Sequence, residues 1–194
     1  FTINAIMHTL ELKWNTEYLT TALRLASRMI EQFYDSKNGG FYFSSQAHEG
    51  LFHHSKNFFD DATPSGNAIA AKVLLRLGFL TGKLDFVDIA EQMLKSVNTH
   101  MNSRLDATTS LNSVVMEYLQ PIDVVILRGF ENDLELWQSK TRKLLKRRAI
   151  CYAIPESESG LPESLSSKIF EGVIVAYICH GFSCSKPIND FKNY

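Results

Sequence analysis

The sequence is poor in cysteine and carries almost no excess of charge of either sign. Its 194 residues include three cysteines, and its formal net charge is −1. A small, odd number of cysteines does not make the paired framework of a small secreted domain, so a reducing, cytoplasmic setting is predicted. A chain this close to neutrality also lacks the basic character of a sequence-independent nucleic-acid binder, and nucleic acid is not expected among its partners.

Several other kinds of segment are missing from the sequence. No apolar run reaches the roughly 18 residues that a membrane span requires, and no signal peptide is recognisable. The pair Gly39-Gly40 lacks the lysine and the preceding strand of a phosphate-binding loop. The clustered histidines His48, His53 and His54 do not have the spacing of metal ligands. No membrane partner, metal or cofactor is therefore predicted.

Apolar residues are abundant, at 45% of the chain, and they recur at helical spacing through most of its first part. The predicted helices are residues 1–14, 17–34, 64–80, 84–101 and 105–119. Two successive helix pairs resemble each other, with Tyr18 and Ala22 corresponding to Phe86 and Ala90. Such a repeat of helix, turn and helix is typical of solenoids and toroids of helical hairpins. The helix at 64–80 is apolar nearly all round, which predicts that it is buried.

After residue 120 the pattern changes to short β-branched runs. Strands are predicted at 122–127, 149–154 and 173–178, a helix at 132–147, and an irregular end from Cys179 onward. Strand, helix and strand in succession indicate a small α/β unit with parallel pairing. We therefore predict a mainly α chain, with helical hairpins in residues 1–120 and an α/β extension in residues 121–194. Because Phe1 is not an initiator and a helix is already under way there, we expect a piece of a longer protein.

The polar stretch Asp60–Asn67 leads directly into the predicted buried helix. Thr63 followed by Pro64 has the pattern of an N-cap and a first helical position. Polar side chains at the mouth of a buried helix can line a pocket, and Ser65 and Asn67 can hydrogen-bond a ligand hydroxyl there. They can equally satisfy the backbone groups that a buried helix end leaves unpaired.

Asp60, Asp61 and His54 are the candidates for acid–base chemistry, with Asp60 and His54 as the catalytic pair. Carboxylates suit sugar chemistry, since burial can raise the pKa of one while its neighbour stays ionised. Alternatively, one aspartate caps the helix, where its charge also meets the helix dipole. His54 is preferred over His48 and His53 because it is closest to Asp60, and an imidazole can move a proton between neighbouring sugar carbons. A histidine-rich surface loop is the alternative.

The remaining candidates are residues that would hold a substrate. The predicted substrate-binding set is Lys56, Ser65, Asn67, Asp61 and Phe41. Phe41 can stack on a sugar face, but an aromatic side chain at this position is also explained by core packing. Cys179 and Cys184 can form a redox or metal pair, although their spacing is not that of a C-x-x-C motif and zinc would need two more ligands. Structural thiols are the alternative for the two cysteines.

Two motifs carry a resemblance to a known family. The first is Asp60-x-Ala62-x-Pro64-Ser65-Gly66-Asn67, preceded by Asn38-Gly39-Gly40-Phe41-Tyr42 and followed by Thr81-Gly82. The second is the closing stretch Ala176-Tyr177-Ile178-Cys179-His180-Gly181-Phe182-Ser183-Cys184-Ser185-Lys186-Pro187. Together they resemble the YyaL-like family of thioredoxin-domain-containing, spermatogenesis-associated proteins. His54 stands where that family usually has an arginine.

The resemblance implies an architecture more than a reaction. Family members carry an N-terminal thioredoxin-like domain and an (α/α) toroid similar to N-acylglucosamine 2-epimerases and six-hairpin glycosidases. This chain would be the last hairpins of the toroid and its α/β extension, with a sugar as ligand and the thioredoxin-like domain as partner. The implied function is carbohydrate-related binding or acid–base catalysis of the epimerase, isomerase or glycosidase kind. The alternative is a non-enzymatic helical scaffold that packs against the thioredoxin-like domain.

Overall fold

The computed structural model describes residues 1–45, 55–97, 104–144 and 149–190. About half of these described residues are helical, and a small four-stranded mixed sheet forms in the last part of the chain. A mainly helical chain with a C-terminal α/β unit is therefore compatible with the structure. Among the described helices, none is long and apolar enough to cross a membrane.

The chain divides into two compact units that each contain more than one stretch of sequence. Unit 1 consists of Phe1–Asn4, Thr21–Phe79 and Lys83–Gln120. Unit 2 consists of Ala5–Thr20, Leu80–Gly82 and the described residues from Pro121 onward.

The helices agree with the sequence periodicity, with small shifts at their ends. In chain order they are α1 (Thr2–Leu12), α2 (Thr16–Phe33), α3 (Gly66–Thr81), α4 (Leu84–Ser96), a 3-10 turn (Leu105–Ala107), α5 (Thr109–Leu119), α6 (Glu131–Leu144) and α7 (Glu163–Ser166). The predicted helix at 105–119 is thus two elements, and α7 was not predicted. The end of the helix predicted at 84–101 lies partly outside the described residues.

Helix α3 is the buried helix that its composition predicts. Most of its residues are buried, among them Ala71, Leu74, Leu75 and Leu77, and one narrow face with Lys72 and Arg76 is partly exposed. A side chain at Gly78 would place its Cβ 2.5 Å from a methyl carbon of Val87, so the missing side chain permits a close approach of α4 to α3.

The start of α3 corrects the predicted N-cap. The helix begins at Gly66, and the Ala68 amide donates a hydrogen bond to the Ser65 hydroxyl oxygen at 3.1 Å. Ser65 therefore occupies the capping position, two residues after Thr63. The motif contains several residue types that favour N-caps, and the choice among them depends on which backbone groups the surrounding loop leaves unpaired.

The sheet of unit 2 has the strand order β2-β1-β3-β4. Its strands are β1 (Asp123–Gly129), β2 (Ala149–Pro155), β3 (Val175–His180) and β4 (Ser183–Cys184). Strand β1 pairs parallel to β2, as predicted, but antiparallel to β3, so parallel pairing throughout is wrong. Helix α6 forms the crossover between β1 and β2, whereas α7, between β2 and β3, is only four residues long and does not form a comparable crossover.

Helix α6 packs against one face of the sheet and closes a small core. That core contains Val125, Leu127, Leu134, Cys151, Ile174 and Ala176. Burial raises the pKa of the Cys151 thiol to about 12. A thiol that holds its proton so strongly is a poor nucleophile at neutral pH, so Cys151 acts here as an apolar core residue.

Residues 179–190 are more ordered than the sequence predicts, and residues 191–194 lie outside the described residues. Ser183 and Cys184 form β4 against β3, and Ile188 exchanges backbone hydrogen bonds with Ala176 at 2.8 and 2.9 Å. Cys179 lies opposite Cys184 in this pairing and is bonded to it in a disulfide. The pair is therefore neither a set of free structural thiols nor a metal site in this structure. The tight turn at Gly181 brings the two sulfur atoms together, which the spacing by itself did not reveal.

Candidate functional site

Asp60 joins the starts of two helices in unit 1. One carboxylate oxygen accepts a hydrogen bond from the Ser65 amide at 2.8 Å, just before α3. The other accepts from the Ser110 amide at 2.8 Å and from the Thr109 hydroxyl at 2.9 Å, in the first turn of α5. Amides at helix starts have no partner within the helix, and the partial positive charge there favours an anion. Asp60 therefore stabilises the start of α5 and the turn that precedes α3.

The surroundings of Asp60 keep its carboxylate ionised. Burial acts to raise the pKa of Asp60, but hydrogen bonds from the Ser110 and Ser65 amides and from Thr109 outweigh that effect and lower it. A carboxylate with a lowered pKa holds no proton to donate at neutral pH, so this geometry does not suit a general acid. Asp61 is exposed beside it. The two aspartates thus lie in different environments, as adjacent residues commonly do.

Asn67 uses its amide group to fasten two loop segments to the first turn of α3. Its Oδ1 accepts a hydrogen bond from the Phe41 amide at 2.6 Å, while its Nδ2 donates to the carbonyl oxygens of Phe41 at 2.9 Å and Asn57 at 3.0 Å. Asn67 and Phe41 are both buried, with 4% and 5% of their surfaces exposed. Phe41 is therefore a core residue and does not present an open stacking face to a sugar.

Lys56 is paired with a carboxylate that the sequence analysis did not single out. Its ammonium nitrogen lies 2.6 Å from Asp35 Oδ2 and 2.6 Å from the Gly39 carbonyl oxygen, and 4.7 Å from the centre of the Tyr42 ring. Tyr42 donates a hydrogen bond to the same Asp35 oxygen at 2.7 Å. The hydrogen bond from Lys56, helped by those from Tyr42 and Asn38 and opposed by burial, holds the pKa of Asp35 well below its usual range.

The Asp35 network shapes the loop after α2. Asp35 Oδ1 accepts hydrogen bonds from the amides of Lys37 and Asn38 at 3.0 and 3.1 Å, a turn typical of aspartate. Gly39 and Gly40 follow with φ of 71° and 80°, a backbone region that favours glycine. The run of Asp, Asn, Gly and Gly in the sequence is the signal that identifies this turn. Nothing in the sequence links it to Lys56.

The structure thus brings most of the predicted site residues into one part of unit 1. Asn67 holds the segment that contains Phe41 and the residue after Lys56, and Asp60 holds the backbone of Ser65. His54 lies outside the described residues, as do His48 and His53. Within the described ranges, no group of three or more His, Cys, Asp or Glu side chains is placed to hold a metal ion.

Comparison with known proteins finds similar sequences that match nearly the whole chain. The chain is 28% identical over 205 residues to spermatogenesis-associated protein 20 of Homo sapiens, and 28% identical over 205 residues to the protein of that name from Rattus norvegicus. It is 26% identical over 199 residues to the protein from Mus musculus. The chain is a relative of the spermatogenesis-associated proteins. No family model matches it.

The similarity to spermatogenesis-associated protein 20 extends over 98% of this chain but only 25% of the human relative. The chain therefore spans about a quarter of the length of the curated relatives it matches, and a piece of a larger protein fits this coverage. The family resemblance that the sequence motifs indicated is confirmed. The aligned region covers nearly the whole chain, so it includes both units, the Asp60 and Asp35 networks and the sheet.

The Asn67 contacts lead to a direct stability prediction. We expect Asn67→Ala to lower the free energy of unfolding by about 3 kcal/mol, because it leaves an amide and two carbonyl groups without partners in a largely buried place. Urea denaturation followed by circular dichroism measures this change. Asn57→Ala is the matched control, since the Asn57 side chain is exposed and accepts only a local hydrogen bond from the Phe59 amide. Equal effects of the two substitutions would contradict the prediction.

Proposed function

We propose that this chain is a non-enzymatic helical module of a larger protein, and that its motif around Asp60 is structural. The observation that carries the proposal is that the polar side chains of this motif already form hydrogen bonds within the chain. Asp60, Lys56 and Asn67 already make two or more close hydrogen bonds each within unit 1, and Ser65 caps α3. In this proposal the module packs against the remainder of the protein. The family resemblance implies that this remainder includes a thioredoxin-like domain.

Occupied side chains make weak ligand groups for an energetic reason. A sugar hydroxyl that bonded to Asn67 or Lys56 would replace a hydrogen bond that the folded chain already makes, so the exchange would bring little net free energy. It would also leave a buried loop amide or carbonyl unpaired, which costs about 1–3 kcal/mol. Binding at these atoms would thus require the loops to rearrange.

The architecture that we propose for the helical part is a series of toroid hairpins. Support comes from the pair α3 and α4, which are joined by a sharp turn at Gly82 with φ of 74°. Helix α3 is buried on nearly all sides, whereas α4 buries one face formed by Phe86, Ala90 and Met93. An inner helix and an outer helix of an (α/α) toroid would differ in this way.

Carbohydrate-related acid–base chemistry is the second candidate. The observation that favours it is the ionised Asp60 beside the exposed Asp61 at the start of a buried helix, a place where carboxylates can face a ligand. In this version Asp60 is a base or an electrostatic partner, and His54 supplies the proton.

Asp60→Asn distinguishes the two proposals. For the structural module we expect the substitution to cost about 1–2 kcal/mol of unfolding free energy. Both Asp60 oxygens accept hydrogen bonds, whereas the NH2 group of asparagine is a donor and would face other donors, and the charge that favours the helix start is lost. Urea denaturation measures the change in stability, and a thermal-shift screen against monosaccharides, disaccharides and amino sugars measures ligand binding. Asp61→Asn is the control and should leave stability unchanged.

One combination of results would favour carbohydrate binding over the structural role of Asp60. If a sugar raises the melting temperature of the wild type, and Asp60→Asn abolishes that shift while stability stays unchanged, then carbohydrate binding replaces the structural proposal. If Asp60→Asn is destabilised and no sugar shifts any variant, the structural module stands.

A further inference from the structure

The disulfide between Cys179 and Cys184 joins the two strands of the hairpin that ends unit 2. Cys179 on β3 lies directly opposite Cys184 on β4, and the chain turns back between them at Gly181. Facing residues of antiparallel strands project from the same face of the sheet, so their side chains are neighbours whether or not a covalent bond joins them. The hairpin therefore keeps the two sulfur atoms close together in both the oxidised and the reduced chain.

Hydrogen bonds hold the same hairpin independently of the disulfide. Beside the cysteine pair, the Ser185 amide donates to the Ile178 carbonyl oxygen at 2.8 Å, and the Ile178 amide donates to the Ser185 hydroxyl oxygen at 3.1 Å. Further along, Ala176 and Ile188 exchange two backbone hydrogen bonds at 2.8 and 2.9 Å. The disulfide spans a separation of only 5 positions, and a short loop restricts the unfolded chain less than a long one does. The disulfide can therefore open while the strands stay paired.

The two cysteines of the disulfide differ in their access to solvent. Cys179 is buried, with 7% of its surface exposed, whereas Cys184 is exposed. Thiol–disulfide exchange begins when a thiolate attacks one of the two sulfur atoms, and exposed disulfides are more labile than buried ones. An external thiolate thus reaches Cys184 first, and Cys179 is the leaving group.

The third cysteine cannot take part in this exchange. Cys151 lies beside Val125 in the sheet, on the face that α6 covers, and Val125 also faces Ile178. Cys179 is the next residue after Ile178 and therefore points to the other face. Cys151 is 4% exposed, and burial raises its pKa to about 12, so it carries almost no thiolate at neutral pH. It supplies an internal control for thiol reactivity.

We propose that Cys179 and Cys184 form a redox-active pair that accepts two electrons from an external dithiol. One thiolate of the dithiol attacks the Cys184 sulfur, the bond between the two cysteine sulfur atoms breaks, and Cys179 leaves as a thiolate that takes a proton from water. The second thiolate of the dithiol then attacks the sulfur atom of the first. This closes the dithiol into its own disulfide and releases Cys184 as a thiolate, which is protonated in turn.

The exchange is balanced and reversible. The chain gains two electrons and two protons, which the dithiol loses, and an external disulfide reoxidises the chain by the reverse path. The pair lies in unit 2, so the inference does not depend on the structural role proposed for Asp60.

The first experiment measures whether the disulfide opens and closes in the folded chain. The wild type is equilibrated with reduced and oxidised dithiothreitol at fixed ratios, quenched with acid and alkylated in denaturant, and its free thiols are counted by mass spectrometry. The oxidised chain should carry one free thiol, that of Cys151, and the reduced chain all three. The midpoint should be the same from either direction, and circular dichroism should show the same fold at both ends of the titration.

The second experiment uses Cys179→Ser and Cys184→Ser as a matched pair, since each leaves one sulfur atom of the disulfide in place. With oxidised glutathione, Cys179→Ser, which retains the exposed Cys184, should form a mixed disulfide at least about tenfold faster than Cys184→Ser. Mass spectrometry of proteolytic fragments locates the adduct. Cys151 is present in both variants and should stay unmodified, and circular dichroism verifies that both variants keep their fold.

Three results would overturn the proposal. Three free thiols in excess oxidised dithiothreitol would show that the two cysteines do not form a disulfide in the folded chain. A disulfide that dithiothreitol opens only in denaturant, or whose opening unfolds the sheet, would be a structural cross-link. Equal reaction rates of the two serine variants would show that solvent access does not make Cys184 the attacked sulfur.

Discussion

Asp35→Ala is expected to lower the free energy of unfolding by about 3–5 kcal/mol, because it leaves a buried ammonium group without its counter-ion. The side chains of Lys56 and Asp35 are only 15% and 7% exposed, and the two charged atoms lie 2.6 Å apart. Loss of Asp35 also removes the acceptor for Tyr42 and for the turn after α2. Urea denaturation at neutral pH measures the loss.

A surface ion pair in the neighbouring helix supplies the control. Arg28 and Glu31 lie 2.9 Å apart with side chains 61% and 65% exposed, so Glu31→Ala should cause no measurable change. The double variant Asp35→Ala with Lys56→Met should recover part of the loss, since it removes the unpaired charge as well. A small effect of Asp35→Ala, equal to that of Glu31→Ala, would contradict the structure of this loop.

The pH dependence gives the Asp35 prediction a second, independent readout. The pKa of Asp35 is lower in the folded chain than its usual value near 4, so its contribution to stability is present above that value. The contribution is lost progressively as the pH falls through and below the usual aspartate range. Wild-type stability should therefore fall more steeply with acidification than that of Asp35→Ala.

Glu117→Ala should be comparably destabilising, by about 3–5 kcal/mol, because Arg76 would remain charged in a nearly buried place. Arg76 on α3 contacts Glu117 on α5 through two parallel hydrogen bonds, with Nε 2.6 Å from Oε1 and Nη2 2.9 Å from Oε2. The two side chains are 15% and 10% exposed. Paired hydrogen bonds of this geometry are among the stronger polar contacts in proteins.

Amide hydrogen exchange makes the Glu117 prediction specific to the helices involved. Exchange should accelerate in α3 and α5 for Glu117→Ala, and the double variant Arg76→Met with Glu117→Leu should recover much of the protection. Glu117→Gln keeps the shape of the side chain and should lie between wild type and alanine. If Glu117→Ala exchanges like the wild type in α3 and α5, the ion pair does not join these helices.

Much of the fold follows from local patterns in the sequence. The periodic apolar residues of α2 and α4 each define one buried face, because a helix repeats every few residues whatever surrounds it. The apolar composition of α3 predicts its burial, and the β-branched runs predict β1 and β2. The motifs around Asp60 and at the chain end also identified the family correctly, since they are contiguous stretches of sequence.

The candidate site was predictable only in part. The sequence picked out Asp60, Lys56, Ser65 and Asn67 as a group, and the structure brings these residues into one unit. It did not reveal Asp35, whose partner Lys56 is 21 positions away. Nor did it show that the Asp60 carboxylate reaches Thr109 and Ser110, at separations of 49 and 50 positions.

The sequence by itself determined where most of the described helices and strands form, which helix is buried and which family the chain resembles. Only the tertiary structure decided that β3 runs antiparallel to β1, that Cys179 and Cys184 are bonded, and that Lys56 pairs with Asp35. The physical reason is the range of the interactions. Helical periodicity and turn preferences arise from residues within a few positions of each other, whereas ion pairs, strand order and helix capping by distant carboxylates depend on which segments the folded chain brings into contact.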